Sequence, residues 1–196
     1  VGTYGAGINK YDRKTERFGL MRHDPTDLNS LRHNSVKTIY EDDMGYLWLG
    51  TLGGGLSRYN QKTKTFKHFL HDPKNPDSIS HNNIWKVVED NDHNLWIATE
   101  NGLSQYNRKQ DRFINYRHDP ENSDSIGSNL IRTVFFDNRN RLWIGTQHDG
   151  FDRFDADQNT FKHYKIPGGF NTVAFQDSFG VFWLANQTLF RFNEKK

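Results

Sequence analysis

Side chains able to bind a polar ligand occur where a repeated sequence pattern changes from one copy to the next. The changes fall in two loops of each copy and at one position early in a short apolar segment, where Lys37, Trp85 and Arg132 correspond. Such side chains suit sugar hydroxyls or acidic sugars, and a sugar ring can stack on tryptophan. The candidate ligand-binding residues are Arg32, His33, His81, Trp85, Glu100, Arg132, His148 and Asp149. The equally simple alternative for each is an ordinary solvated loop residue.

Residues that recur in every copy are better explained by structure than by catalysis. His23, His71 and His118 stand at the same spacing in a His-Asp-Pro loop, which favours a turn-stabilising hydrogen bond. The segment 90–94 resembles the start of a calcium loop, but Asn101 stands where such loops need a glutamate, so we interpret it as a hairpin turn. The sequence contains no cysteine and no evident nucleophile–base set or phosphate loop. We therefore expect no enzyme activity, no metal and no cofactor.

These positions belong to a repeat centred on tryptophan. Leu47–Thr51 returns as Leu95–Thr99 and Leu142–Thr146, with a weaker copy at Phe182–Asn186. The tryptophans are 48, 47 and 40 residues apart. A period in the forties is typical of arrays of similar supersecondary units, so the repeat indicates the fold before any site is considered.

Each complete copy predicts four short strands joined by tight turns. In the first complete copy they are Val36–Glu41, Leu47–Thr51, Leu56–Tyr59 and Thr65–Leu70. A four-stranded antiparallel sheet of this kind has apolar side chains on both faces, which neighbouring copies can cover as β-propeller blades do. A β-sandwich is the alternative, but it does not explain one tryptophan in every four-stranded repeat.

The predicted fold class is therefore all-β, a β-propeller of four-stranded antiparallel blades, of which this chain forms an arc. We predict partial blades at 1–23 and 170–193 around complete blades at 30–71, 78–118 and 125–164. Both ends contain a third strand, so we do not expect them to close a ring by pairing. Uncovered sheet faces at the two ends, with Phe190 and Phe192 exposed, would favour a homodimer.

The balance of charges excludes some partners. The chain has 26 Lys and Arg against 24 Asp and Glu, a net charge of +2, which gives no electrostatic reason to expect nucleic acid binding. It has no run of 18 apolar residues and no recognisable signal peptide.

Three consecutive motifs carry a family resemblance. Asp-x-x-Gly-x-Leu-Trp-[Ile/Leu]-[Gly/Ala]-Thr precedes Gly-[Leu/Phe]-x-[Arg/Gln]-[Tyr/Phe]-[Asn/Asp] and Phe-x-x-[Phe/Tyr]-x-His-Asp-Pro. Together they resemble the two-component regulator propeller repeat over nearly the whole chain. The last copy departs from the pattern, since 165–169 replaces the polar loop and 187–188 lacks the expected glycine. We therefore expect that blade to be atypical.

The resemblance implies a function. In this family the repeats build the periplasmic sensor region of hybrid two-component systems of Bacteroidetes, which detect oligosaccharides. It implies an oligosaccharide ligand, further blades and a kinase module in the parent chain, and a periplasmic location as part of an inner-membrane protein. A non-enzymatic sensor is our first hypothesis. The alternatives are a structural or protein-interaction propeller without its own ligand site, and a lyase or hydrolase propeller, disfavoured because no acid/base set stands out.

Overall fold

The computed structural model describes residues 1–147, 150–166, 173–185 and 189–192, and within those ranges every regular element is a strand. The first sheet contains β1 (Ile8–Asp12) and β2 (Arg17–Met21). The second contains β3 (Val36–Glu41), β4 (Tyr46–Thr51), β5 (Leu56–Asn60) and β6 (Thr65–Phe69). The third contains β7 (Ile84–Glu89), β8 (Leu95–Thr99), β9 (Gly102–Asn107) and β10 (Arg112–Tyr116). The fourth contains β11 (Ile131–Phe136), β12 (Leu142–Thr146), β13 (Phe151–Asp155) and β14 (Thr160–Tyr164), and the fifth contains β15 (Val173–Gln176), β16 (Phe182–Ala185) and β17 (Leu189–Phe192).

Each complete sheet is an antiparallel meander in which consecutive strands pair. The predicted all-β fold of four-stranded sheets is confirmed, and predicted strand ends differ from the observed ones by one residue at most in the second sheet. The first strands lie side by side from sheet to sheet, with β7 packed against β3 and β11, and β11 against β15. The proposed blade boundaries remain a prediction, and 167–172 and 186–188 lie outside the described residues.

The hairpin between the first and second strands is built around one aspartate. Oδ1 of Asp42 accepts the backbone N–H groups of Met44 and Tyr46, and Oδ2 accepts the indole N–H of Trp48 at 2.7 Å. The same indole bond joins Trp96 to Asp90, Trp143 to Asp137 and Trp183 to Asp177. A buried tryptophan needs a partner for its N–H, and this aspartate both supplies it and closes the turn. The structural interpretation of the recurring aspartates is confirmed.

The core lies between the sheets. Trp48 of the second sheet contacts Tyr106 of the third at 5.4 Å between ring centroids, and Trp96 of the third contacts Phe154 of the fourth at 5.1 Å. Trp143 reaches Phe182 of the fifth sheet at 5.0 Å. Stacked sheets thus bury each other's apolar faces, as predicted, and Trp96 is only 4% exposed.

The His-Asp-Pro loops are tied down by their histidines. Nδ1 of His23, His71 and His118 lies 2.6, 2.8 and 2.9 Å from the carbonyl oxygens of Leu31, Ile79 and Ile126. The predicted turn-stabilising role is confirmed. These contacts hold the loops that lead into β3, β7 and β11 at Leu31, Ile79 and Ile126.

The apolar surface at the two ends differs from expectation in one respect. In the first sheet Tyr11, Phe18 and Leu20 are exposed, as predicted for an uncovered face. Phe190 and Phe192 are instead half-buried, because they pack with Phe182 on the cluster around Trp143. The expectation that these two rings are exposed was wrong. No helix within the described residues is long and apolar enough to span a membrane.

Candidate functional site

A β-bulge interrupts the first strand of each complete sheet at the same position. The pairing with the second strand shifts between Val36 and Thr38 in β3, between Ile84 and Lys86 in β7, and between Ile131 and Thr133 in β11. The residues inside the three shifts are Lys37, Trp85 and Arg132. A bulge re-aims its extra side chain, and bulges are frequent next to functional sites. The position that varies between copies in the sequence is therefore the extra residue of a β-bulge, which the sequence pattern alone did not reveal.

The three bulge residues meet. The guanidinium carbon of Arg132 lies 3.8 Å from the centroid of the Trp85 ring, and Nζ of Lys37 lies 5.1 Å from it. The same Nζ lies 5.0 Å from the ring of Tyr4, which is 81% exposed. We call the side chains of Tyr4, Lys37, Trp85 and Arg132 the rim row. It alternates aromatic rings with cations, each contact having cation–π geometry.

Glu100 fixes the end of the rim row. Its carboxylate accepts hydrogen bonds from Nδ2 of Asn83 at 2.6 Å and from Nη1 of Arg132 at 3.1 Å. The other terminal nitrogen of Arg132 donates to Gln147. Burial alone would raise the pKa of Glu100, but the hydrogen bonds from Asn83 and Arg132 and the Arg132 charge outweigh it, so the pKa lies below its ordinary value. Glu100 therefore holds Arg132 over Trp85 as an anion at neutral pH.

One buried donor of the rim row, Nε of Arg132, lacks a protein partner among the described groups. Nε1 of Trp85 is buried too and forms no hydrogen bond of ordinary geometry with them, but it faces the Glu100 carboxylate closely enough to help lower the pKa of that group. An unmet buried donor costs free energy, so it favours an acceptor arriving from outside. Arg132 covers the Trp85 ring at 3.8 Å, so a sugar ring can stack there only by displacing a cation.

The structure brings only part of the predicted set together. Trp85, Glu100 and Arg132 meet in the rim row and its support. His33 and His81 lie in the loops that enter β3 and β7, where Nδ1 of each accepts a backbone N–H two residues later, from Ser35 and Asn83, at 3.0 Å. Their Nδ1 atoms are thus used by the loop backbone, which leaves Nε2 for a ligand.

The remaining predicted residues are placed differently. Arg32 is half-buried beside His33, and its guanidinium forms no ion pair within the described part of the chain. His148 and Asp149 lie outside the described residues. Sequence reasoning missed Tyr4, Asn83 and Gln147. Asn83 and Gln147 stand in the varying loops. Tyr4 follows Gly2-Thr3 in the incomplete first copy, at the position of Leu52, Glu100 and Gln147.

A second polar cluster lies at the opposite, hairpin end of the sheets. Asp43, Glu89 and His93 hold ligand-type atoms within 4.8 Å of one another. However, Nδ1 of His93 already lies 2.9 Å from Asp43, and Glu89 accepts Nη2 of Arg108 at 2.7 Å. The Arg108 charge beside Glu89 opposes a cation there, so the cluster is explained by its internal ion pairs.

Radially stacked meander sheets whose first strands lie side by side define an arc of a β-propeller, with a polar and aromatic row on one rim. The profile of the two component regulator propeller family matches residues 30–53, 78–101 and 125–148. Each of these three segments matches the family's repeat, which confirms the resemblance seen in the sequence. No curated protein sequence gives a significant match.

Solved structures share the fold. The extracellular domain of BT3049 from B. thetaiotaomicron, described as a hybrid two component system, has a TM-score of 0.84 at 22% identity, over 98% of this chain and 26% of that one. The extracellular domain of BT4673 from the same organism, described as a one component system, has a TM-score of 0.78 at 20% identity, over 99% and 28%. Virginiamycin B lyase from Staphylococcus aureus has a TM-score of 0.60 at 16% identity, over 82% and 53%. This chain therefore spans about a quarter of the length of each of the two B. thetaiotaomicron structures.

Proposed function

We propose that this chain is part of a ligand-sensing propeller module of a two-component regulatory system, and that its ligand is an oligosaccharide. The observation that carries the proposal is the set of three two-component regulator propeller repeats. The similarity in fold to extracellular domains of B. thetaiotaomicron systems supports an extracytoplasmic, specifically periplasmic, location in an inner-membrane protein. Further blades and a histidine kinase module would then lie elsewhere in the parent chain.

The rim row is the proposed place of binding. It offers two cations from the second and fourth sheets, on either side of Trp85, with a partly covered indole ring and the unmet Nε donor of Arg132. With one carboxylate, that of Glu100, against the charges of Lys37 and Arg132, the site favours a ligand bearing acidic groups. Arg32, His33 and His81, in the loops that enter β3 and β7, remain further candidate ligand contacts. We propose no catalytic role, because the row supplies donors and rings without a proton-transfer pair.

A matched pair of probes tests the proposal. Binding of tri-galacturonate and galactotriose is measured by calorimetry to the chain and to its Arg132→Ala and Trp85→Ala variants. We expect the acidic sugar to bind more tightly, and Arg132→Ala to weaken it roughly tenfold to a hundredfold because a charged hydrogen bond is lost. Arg108→Met, at the hairpin end opposite the row, is the control for general destabilisation. Unchanged affinity in both rim variants would place the site elsewhere.

The second candidate function is a structural or protein-interaction propeller without a ligand site of its own. The exposed apolar side chains of the first sheet, Tyr11, Phe18 and Leu20, favour it. They would also support the predicted homodimer. Light scattering over a range of concentrations, with Phe18→Ser as the matched variant, separates association through this face from sugar binding at the rim row.

A further inference from the structure

The aspartate of each Trp-bearing hairpin can accept a cation as well as the indole. Nη1 of Arg108, in the third sheet, lies 3.0 Å from Oδ2 of Asp42, in the second. In the fourth sheet, Nε of Arg141 lies 2.7 Å from Oδ2 of Asp137. Both carboxylates have side chains that are 0% exposed. In two of the four hairpins, then, a guanidinium covers the aspartate–tryptophan pair.

The corresponding place between the third and fourth sheets has no such arginine. Arg108 is the first residue after β9, and the first residue after β13 is Ala156. Glu89, the second partner of Arg108, ends β7, and the residue that ends β11 is Phe136. Both groups that built the ion pair in one interface are therefore replaced by apolar side chains in the next.

The substitution leaves an open cleft over Asp90. It has a volume of about 390 Å³ and is lined among others by Asp90, Trp96, Phe136, Phe154 and Ala156. Asp90 is half-buried, whereas the whole residues Asp42 and Asp137, backbone included, are only 4% and 6% exposed. Besides the Trp96 N–H at 2.9 Å, Oδ2 of Asp90 receives only a long hydrogen bond of 3.3 Å from Nδ2 of Asn94 among the described groups. The carboxylate thus retains an accepting position that faces the cleft.

The charges around the cleft favour a cation. The lining includes two arginines, Arg141 and Arg153, and Arg141 is paired with Asp137. It also includes four carboxylates, those of Asp90, Asp92, Asp155 and Asp157. Its walls also present the rings of Trp96, Phe136 and Phe154, which suit a delocalised cation.

We propose that this cleft is a binding site for a guanidinium group supplied from outside the described fold, which occupies the place that Arg108 fills in the neighbouring interface. The group would donate to Oδ2 of Asp90 while lying against the aromatic walls. The same chemistry could come from a small guanidino compound or from an arginine of a partner protein. The site lies at the hairpin end of the sheets and is independent of the rim row.

The indole N–H of Trp96 reports directly on this cleft. The full chain is labelled with ¹⁵N, the Trp96 resonance is assigned with Trp96→Phe, and its shift is followed while arginine amide or acetyl-Gly-Arg-Gly-amide is added. We expect a saturable shift with both probes. A control peptide in which citrulline replaces the arginine keeps the shape but lacks the charge, and it should bind at least roughly tenfold more weakly. Tighter binding of the peptide than of arginine amide would identify a protein segment as the source, and equal binding a small molecule.

Two variants make the test decisive. Ala156→Arg restores the internal arginine, so it should abolish the Trp96 shift and raise the midpoint of thermal unfolding. Asp90→Asn should weaken binding roughly tenfold, because a neutral amide replaces the carboxylate. If Ala156→Arg does not fold, the affinity of folded Asp90→Asn decides alone. A shift that does not saturate, that citrulline reproduces equally, or that persists unchanged in these variants would overturn the proposal.

Discussion

The two ends of each sheet obey different rules. At the hairpin end an aspartate, a tight turn and a tryptophan repeat with the same hydrogen bond in four sheets. At the bulge end the same backbone irregularity recurs in three sheets, but it carries a lysine, a tryptophan and an arginine. At the hairpin end the same residue types recur because packing depends on them. At the bulge end only the backbone irregularity recurs. The difference separates the part that builds the fold from the part able to recognise something.

The largest effect should come from removing a hairpin tryptophan. Trp143 is 0% exposed and sits among rings of two sheets, so Trp143→Ala should lower the free energy of unfolding by roughly 3–5 kcal/mol through lost burial and a cavity. Trp85→Ala, at the half-buried bulge position, should cost much less. Urea denaturation followed by circular dichroism measures both. Equal losses would erase the distinction between the two ends.

The next effect concerns the arginine that covers a hairpin aspartate. Arg108→Met removes the partner of Asp42 and Glu89, both largely buried, so we expect a loss of about 2–3 kcal/mol. The loss is moderated because Asp42 keeps its bonds to the turn and to Trp48. Lys67→Met, which breaks the exposed pair with Asp111, is the control and should change stability by less than about 1 kcal/mol. Denaturation in low and high salt separates the two pairs further, since only the exposed one is strongly screened.

A smaller effect is expected at the bulge end, from Glu100→Gln. The lowered pKa of Glu100 means that its anion stabilises the fold above the ordinary carboxyl pKa, and that this contribution is lost as pH falls through the folded-state pKa. The difference in thermal midpoint between the chain and Glu100→Gln should therefore shrink on going from pH 6 to acid. The variant should also bind acidic sugars more tightly if the rim row is the site, because Arg132 loses its internal anion.

The smallest effect compares two histidines at one register position of the fourth strands. His163 lies 2.8 Å from Asp152, whereas His68 lies 2.9 Å from Ser57. Burial tends to lower the pKa of His163, but Asp152 outweighs it and the pKa is raised; burial lowers the pKa of His68. The protonated His163 thus stabilises the fold below its unfolded pKa, and this is lost as pH rises through the raised value. For His68 the contribution is present above the unfolded pKa and is lost on acidification.

Asparagine is the matched replacement for both histidines, because Asn115 occupies the position in the third sheet beside Ser104. The loss of stability in His163→Asn should decrease between pH 6 and pH 8. The loss in His68→Asn should increase over the same interval. Thermal unfolding at several pH values measures both, and a common sign would show that the partner across the strand does not set the pH dependence.

The fold could be predicted from the sequence because its signals are local and repeated. The spacing of Trp48, Trp96 and Trp143 fixed the hairpins, and the roles of the aspartates and of His23 followed from their recurrence. The rim row was predicted only in part, because a bulge leaves no signature in residue type. Cross-sheet partners such as Tyr4 depend on three-dimensional proximity that no periodicity encodes. The exposure expected for Phe192 was wrong because the fifth sheet packs it against Trp143.

The bulges also bear on how such a chain can change. Each complete sheet contributes one projecting side chain to the rim, from a backbone that is the same in every copy. Exchanging or duplicating a whole copy would alter one position of this rim while leaving every hairpin intact. If the rim row binds the ligand as proposed, specificity would be combinatorial, set by the order of interchangeable copies along the chain, and recombination would sample new ligands without a new fold.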